Sequence, residues 1–135
     1  MNALFEAGLI GSMNLKNKMI RSATWEGMCD PDGRPEKEAY NLKVSLAVKN
    51  VVSCPVISVG GFRSYKISQK VLEEHGLDFI SFARPLIREP DLPLRWQSGD
   101  HAPAACISCN SCFKPGLFKG RIYCVAKERE KQGHF

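Results

Sequence analysis

Four cysteines near the end of the sequence are spaced as metal ligands are: Cys106-Ile-Ser-Cys109-Asn-Ser-Cys112, then Cys124 after eleven intervening residues. Three thiolates on one tight loop, with a fourth returning from nearby, suit a [4Fe–4S] cluster. Four thiolates equally suit a structural zinc ion. Weighed against both is a set of reduced thiols that hold nothing; the four together tip the balance toward metal. Cys29, in a loop, and Cys54, ahead of a strand, read as ordinary cysteines.

A second group of residues suits anion binding. Gly60-Gly61 ends one apolar run and Ala83-Arg84 ends the next. Glycine has no Cβ, so backbone N–H groups can approach a phosphate there. Arg84 adds a charged clamp. In (β/α)₈ enzymes a phosphate site is often built from the loops after the seventh and eighth strands. A lone Gly-Gly would read as a plain βα turn. The two turns together put phosphate binding level with that reading. The three histidines, His75, His101 and His134, read as surface residues, and no catalytic residue is assigned.

These groups need elements to hold them. Residues 9–24 read as a β-hairpin followed by a strand, with turn chemistry at Gly11-Ser12 and Lys16-Asn17. Residues 27–37 form a loop around Asp30-Pro31-Asp32-Gly33. A helix is expected over 38–51, stopped by Cys54-Pro55. Val56–Val59 reads as a buried strand and Asp78–Phe82 as the next. Between them a helix over 65–75 has Ser64 as its cap and Gly76 as its stop. Strand, helix, strand at this spacing is a right-handed βαβ crossover, which makes the two strands parallel. Pro90–Trp96 reads as a short helix opened by prolines, 98–124 as a Gly/Pro/Cys-rich loop, and the charged tail from Ala126 as a fraying end.

With 135 residues the chain is one ordinary domain in length, with parts at 1–40, 41–97 and 98–135. The net charge of +5 is dispersed among acidic residues, as in Lys127-Glu-Arg-Glu-Lys131. That pattern reads as a solvated face, and no nucleic-acid-binding motif accompanies it. No run approaches a membrane span. The start has no basic region followed by an apolar stretch, so a cytoplasmic location is expected, where disulfides are rare.

Both ends of the chain resemble the old yellow enzyme, or NADH:flavin oxidoreductase, family. Leu4-Phe5-Glu6 through Ile10-Gly11, Leu15-Lys16-Asn17-Lys18 and Arg21-Ser22-Ala23-Thr24 look like its N-terminal hairpin and first barrel strand. Cys54–Gly61, Asp78–Ile87 and Glu89-Pro-Asp-Leu92 look like its seventh and eighth βα units. The resemblance implies FMN as cofactor, with NAD(P)H as a hydride donor and activated alkenes as substrates. It places Ala23 and Thr24 against the flavin ring, and Gly60, Gly61, Ala83 and Arg84 around the FMN phosphate. Larger relatives of the dienoyl-CoA reductase and trimethylamine dehydrogenase type carry a similar Cys-rich segment with an iron–sulfur cluster after the barrel.

The chain departs from that family between Tyr40 and Val51, where it passes directly from N-terminal material to the approach to strand seven. A full barrel takes roughly 250 residues, so the middle of the barrel is absent. The family's substrate-binding histidines, its tyrosine acid and its ring-facing glutamine and arginine belong to that stretch. The expected fold is therefore α/β: an incomplete TIM-type barrel with an N-terminal β-hairpin and a Cys-rich C-terminal loop. Two or three parallel strands cannot close, so an open edge and self-association, or a partner chain, are expected. Three functional readings follow: an FMN-linked oxidoreductase shortened and impaired in catalysis, a non-enzymatic module binding phosphate or an iron–sulfur cluster, or a subunit that needs a partner.

Overall fold

The structure is a computed structural model that describes residues 2–22 and 38–133. It is a mixed α/β arrangement built on a three-stranded parallel sheet of order β3-β5-β4. Those strands are β3 (Met19–Arg21), β4 (Ile57–Val59) and β5 (Phe79–Phe82). Ahead of them, β1 (Gly8–Ile10) and β2 (Met13–Leu15) form the expected antiparallel hairpin, turned at Gly11 in a left-handed conformation. A single 3₁₀ turn at Ala3–Phe5 precedes the hairpin.

Successive side chains of a strand face opposite ways. Both faces of β5 are covered, and all four of its residues are buried. Ile80 and Phe82 face the main core, with Phe62, Val71, Leu72, Leu92 and Trp96. Phe79 and Ser81 face the other way. The hairpin lies on the Phe79 ring so closely that a Cβ on Gly8 would fall 2.7 Å from it. Ile57 is paired with Phe79 in register and shares that second face, yet it is 42% exposed. The sheet is thus sealed at β5 and open along β4.

The helices follow local chemistry. Helix α1 (Leu42–Lys49) starts later and ends sooner than the sequence reading. Helix α2 (Tyr65–His75) has the expected bounds, with Gly76 closing it at φ 65°. Ser64 stands at its N-cap position but does not cap through its side chain; the hydroxyl donates to Glu38 instead (2.7 Å). Helix α4 (Leu92–Gln97) carries the expected proline in its first turn. One short helix, α3 (Arg84–Arg88), was not legible in advance.

Two expectations for the C-terminal part need correction. Within 98–124, residues Phe113–Lys119 form helix α5, ended by Gly120 at φ 65°. Pro115 and Gly116 read as breakers, but Pro115 lies in the first turn, where its missing N–H is not needed. The tail does not fray over its first part: Val125–Lys131 is helix α6. Arg88, itself nearly buried, grips Glu130 through one guanidinium nitrogen at 2.7 and 2.6 Å, and Lys127 Nζ donates to the Arg88 carbonyl at 2.9 Å. Among the described residues no helix is long and apolar enough to cross a membrane.

Candidate functional site

Three parallel strand ends meet at one edge of the sheet. The Ser22 amide, just past β3, donates to the Phe82 carbonyl at 2.9 Å. Val59 pairs with Ser81, so the turns that begin at Gly60 and Ala83 leave from neighbouring strands. Gly60 and Gly61 adopt φ 144° and 68°, conformations that side chains disfavour. Gly60 is buried under Tyr40 and Asn41, and a Cβ there would lie 3.2 Å from the Asn41 amide nitrogen. Ala23 and Thr24 follow Ser22 directly but lie outside the described residues, as do Cys29 and His134. His75 and His101 are exposed, as expected, and His101 stacks on Tyr65 with ring centroids 3.6 Å apart.

The edge has the chemistry of an anion site. Glu38 Oε2 accepts from the amides of Arg63 (3.1 Å) and Ser64 (2.9 Å), so an internal carboxylate already sits just ahead of the α2 N-terminus. Three buried donors at this edge, Ser22 Oγ, Ser81 Oγ and Arg63 Nε, have no hydrogen-bond partner among the described residues. Arg63 Nε has only a 3.9 Å ion pair with Glu38. A buried unpaired polar group costs about 1–3 kcal/mol, a cost that an anionic, hydroxyl-bearing ligand would relieve. By donor chemistry, these residues fit the phosphate and ribityl end of FMN.

The thiols form a second centre beside it. Cys106, Cys109, Cys112 and Cys124 all line one small cavity, together with Arg84 and Ile87. Ser108 and Asn110 hold left-handed conformations (φ 58° and 57°) and turn the chain on either side of Cys109. Arg84 opens α3 and sends Nη1 to the Ser108 carbonyl at 3.4 Å and to the Asn110 side-chain oxygen. Cys124 caps α6, its sulfur accepting from the Lys127 amide at 3.4 Å and from Arg88 Nη1 at 3.6 Å. Among the described residues no three Cys, His, Asp or Glu side chains converge as ligands of a single metal ion.

The thiols differ in acidity. Burial pushes the Cys106 thiol up, against the Ser108 amide and Arg84. Burial and the neighbouring Cys106 push Cys112 up as well. Burial also acts on Cys109, but the Ser111 amide and hydroxyl, its own amide and Arg84 outweigh it, and its pKa falls. The thiolate is the nucleophile, so lowering the pKa enlarges the reactive fraction at neutral pH. In metal-free protein at pH 7, iodoacetamide is expected to alkylate exposed Cys109 first and buried Cys112 last, as read by timed peptide mass spectrometry. The gap should narrow as pH rises and the other thiols ionise.

The two turns named from the sequence leave neighbouring strands and the four named thiols line one cavity, while Glu38, Arg63 and Ser108 were not named. Arg63 carried a signal, two residues past Gly-Gly; Glu38 carried none, since its role depends on residues 25 and 26 positions away.

The profile of the NADH:flavin oxidoreductase / NADH oxidase family matches residues 31–102, which hold both βα turns. The chain belongs to this family. The NADH oxidase of Thermoanaerobacter brockii is 31% identical over 88 residues, 64% of this chain and 13% of that protein. The 4,4'-dithiodibutanoate disulfide reductase of Rhodococcus erythropolis is 29% identical over 94 residues, 70% of this chain and 23% of that protein. The structure of 6-hydroxypseudooxynicotine amine oxidase from Pseudomonas geniculata N1 matches with a TM-score of 0.59 and 32% identity, over 72% of this chain and 15% of that one. This NADH:flavin oxidoreductase relative therefore spans less than a quarter of those proteins' lengths.

Proposed function

We propose that the chain is the FMN-phosphate-binding part of an NADH:flavin oxidoreductase, an incomplete (β/α)₈ barrel with a thiol centre for a [4Fe–4S] cluster. One observation carries the reading: two βα turns, at Gly60-Gly61 and Ala83-Arg84, leave adjacent parallel strands within a segment matched by the family. The order β3-β5-β4 supports the barrel, because closing a barrel sets the first strand beside the last. In this reading β3, β5 and β4 stand for the first, eighth and seventh strands.

The flavin, when bound, supplies hydride transfer, with NAD(P)H as donor. The chain's part is to bind and orient it. Backbone amides at Gly60 and Gly61, the Ala83 turn and the Arg84 guanidinium hold the phosphate. Ser22, Ser81 and Arg63 offer their unpaired donors to the tail. By resemblance Ala23 and Thr24 meet the ring. The four thiols would ligate the cluster, with Arg84 and Arg88 as nearby positive charge. No residue is assigned to polarise a substrate, so turnover by this chain alone is impaired.

Purification without oxygen, followed by a visible spectrum and iron and sulfide analysis, tests this. The expected result is flavin absorbance, FMN release on denaturation, and iron with labile sulfide. A colourless protein without flavin or metal, even when supplied with FMN and iron, overturns it. A second reading, a subunit that needs a partner, draws on the exposed Ile57 and the unpaired side of β4. It expects flavin retention only on co-expression with a chain supplying the missing strands.

A further inference from the structure

Ser108 is 2% exposed and lies between the first two cysteines of the thiol loop. It is held from both βα turns at once. Arg63, two residues past Gly61, donates from Nη1 to the Ser108 hydroxyl at 3.4 Å. Arg84, one residue past Ala83, donates from Nη1 to the Ser108 carbonyl at 3.4 Å and to the Asn110 side chain. A further backbone bond, from the Ala104 amide to the Arg63 carbonyl at 2.8 Å, ties down the approach to the loop. Ser108 and Asn110 are also the two left-handed residues that give the loop its shape.

We propose that Ser108 is a pin joining the thiol centre to the anion-binding edge, with Arg63 and Arg84 as positioning residues that couple the two. Arg63 reaches both ways, with Nη1 on the Ser108 hydroxyl and Nε at the edge, while Arg84 reaches the loop from the second turn. Arg84 Nη1 is committed to the loop, and Arg63 Nε, buried at the edge, has no hydrogen-bond partner among the described residues. An anion that draws on these arginines fixes their planes, and a fixed plane fixes Ser108 and the spacing of the cysteines. Coupling of this kind is reciprocal, so a filled thiol centre tightens the anion site by the same factor. The anion half rests on the phosphate reading above; the pin itself does not.

The test follows Cys112, which is 8% exposed, by its rate of reaction with a maleimide in metal-free protein. Arg84→Gln and Ser108→Ala are expected to speed its labelling about fivefold or more, while Cys54, which lies far along the chain in an exposed turn, keeps its rate. If Arg84→Gln does not fold, Ser108→Ala, which keeps the carbonyl and removes only the hydroxyl, carries this arm. Unchanged labelling in the folded variants overturns the pin. In the wild-type chain, saturating inorganic phosphate is expected to slow Cys112 labelling about fivefold or more, an effect lost in Ser108→Ala. Phosphate that binds by calorimetry without slowing the thiol overturns the coupling and leaves the phosphate site standing. Phosphate that does not bind overturns the coupling and the phosphate site together.

Discussion

Gly60→Val should weaken flavin binding sharply. The residue sits at φ 144°, where a β-branched side chain is strained by about 1–3 kcal/mol. Its Cβ would also lie 3.2 Å from the backbone nitrogen of Asn41, which cannot swing aside as a side-chain tip can. Both effects push the first βα turn off the edge where the Arg84 turn meets it. Affinity for FMN should fall about tenfold or more, which is ~1.4 kcal/mol, measured by fluorescence quenching of the free flavin. Gly76→Ala is the matched control. It too has a left-handed φ, 65°, with nothing within 4 Å of its Cβ. It lies at the far end of α2, about 16 Å along the helix from the edge. It should lower stability by about 1–2 kcal/mol and leave FMN affinity alone. If Gly60→Val keeps wild-type affinity, the phosphate is not bound at this turn.

Trp96→Ala should cost about 3–5 kcal/mol of folding stability, the range for removing a large aromatic from a packed core. Trp96 is 1% exposed and meets Phe82 and Tyr65, each with ring centroids 5.7 Å away and steep interplanar angles. Its indole N–H donates to the Ala102 carbonyl at 3.0 Å. The substitution therefore opens a cavity behind the central strand and removes one of the two hydrogen bonds accepted by the Ala102 carbonyl, leaving the one from Arg95 Nη1 at 3.1 Å. Domains of this size have only about 5–15 kcal/mol to lose. A urea titration followed by circular dichroism should show the midpoint falling steeply. A midpoint unchanged within error would mean that the aromatic cluster is not the centre of the core.

Where local chemistry decided the outcome, the residues announced it. The apolar strand Phe79–Phe82, the stop at Gly76 and the turn at Gly11 all stand where their side chains, or lack of them, require. Helix α5 was hidden because Pro115 and Gly116 read as breakers when only position within the helix makes Pro115 harmless. Helix α6 was hidden because seven charged and small residues do not make a stable helix alone; its partner, Arg88, is 42 residues from Glu130. The candidate site divides the same way. Gly60-Gly61, Ala83-Arg84 and the cysteine spacing are local motifs and were legible. The carboxylate of Glu38 on the Arg63 and Ser64 amides and the two arginines on Ser108 are tertiary contacts, and no spacing rule reports them.

The middle position of β5 has a consequence for how the molecule is made. Both of its neighbours precede it in the chain, β3 by some sixty residues and β4 by about twenty. During synthesis each therefore emerges without the template it needs, and neither can be satisfied until Phe82 has left the ribosome. The nascent chain must hold two unpaired apolar segments in waiting, then zip both onto the late arrival in one event. Such a chain is most vulnerable to wrong association before β5 is available to pair.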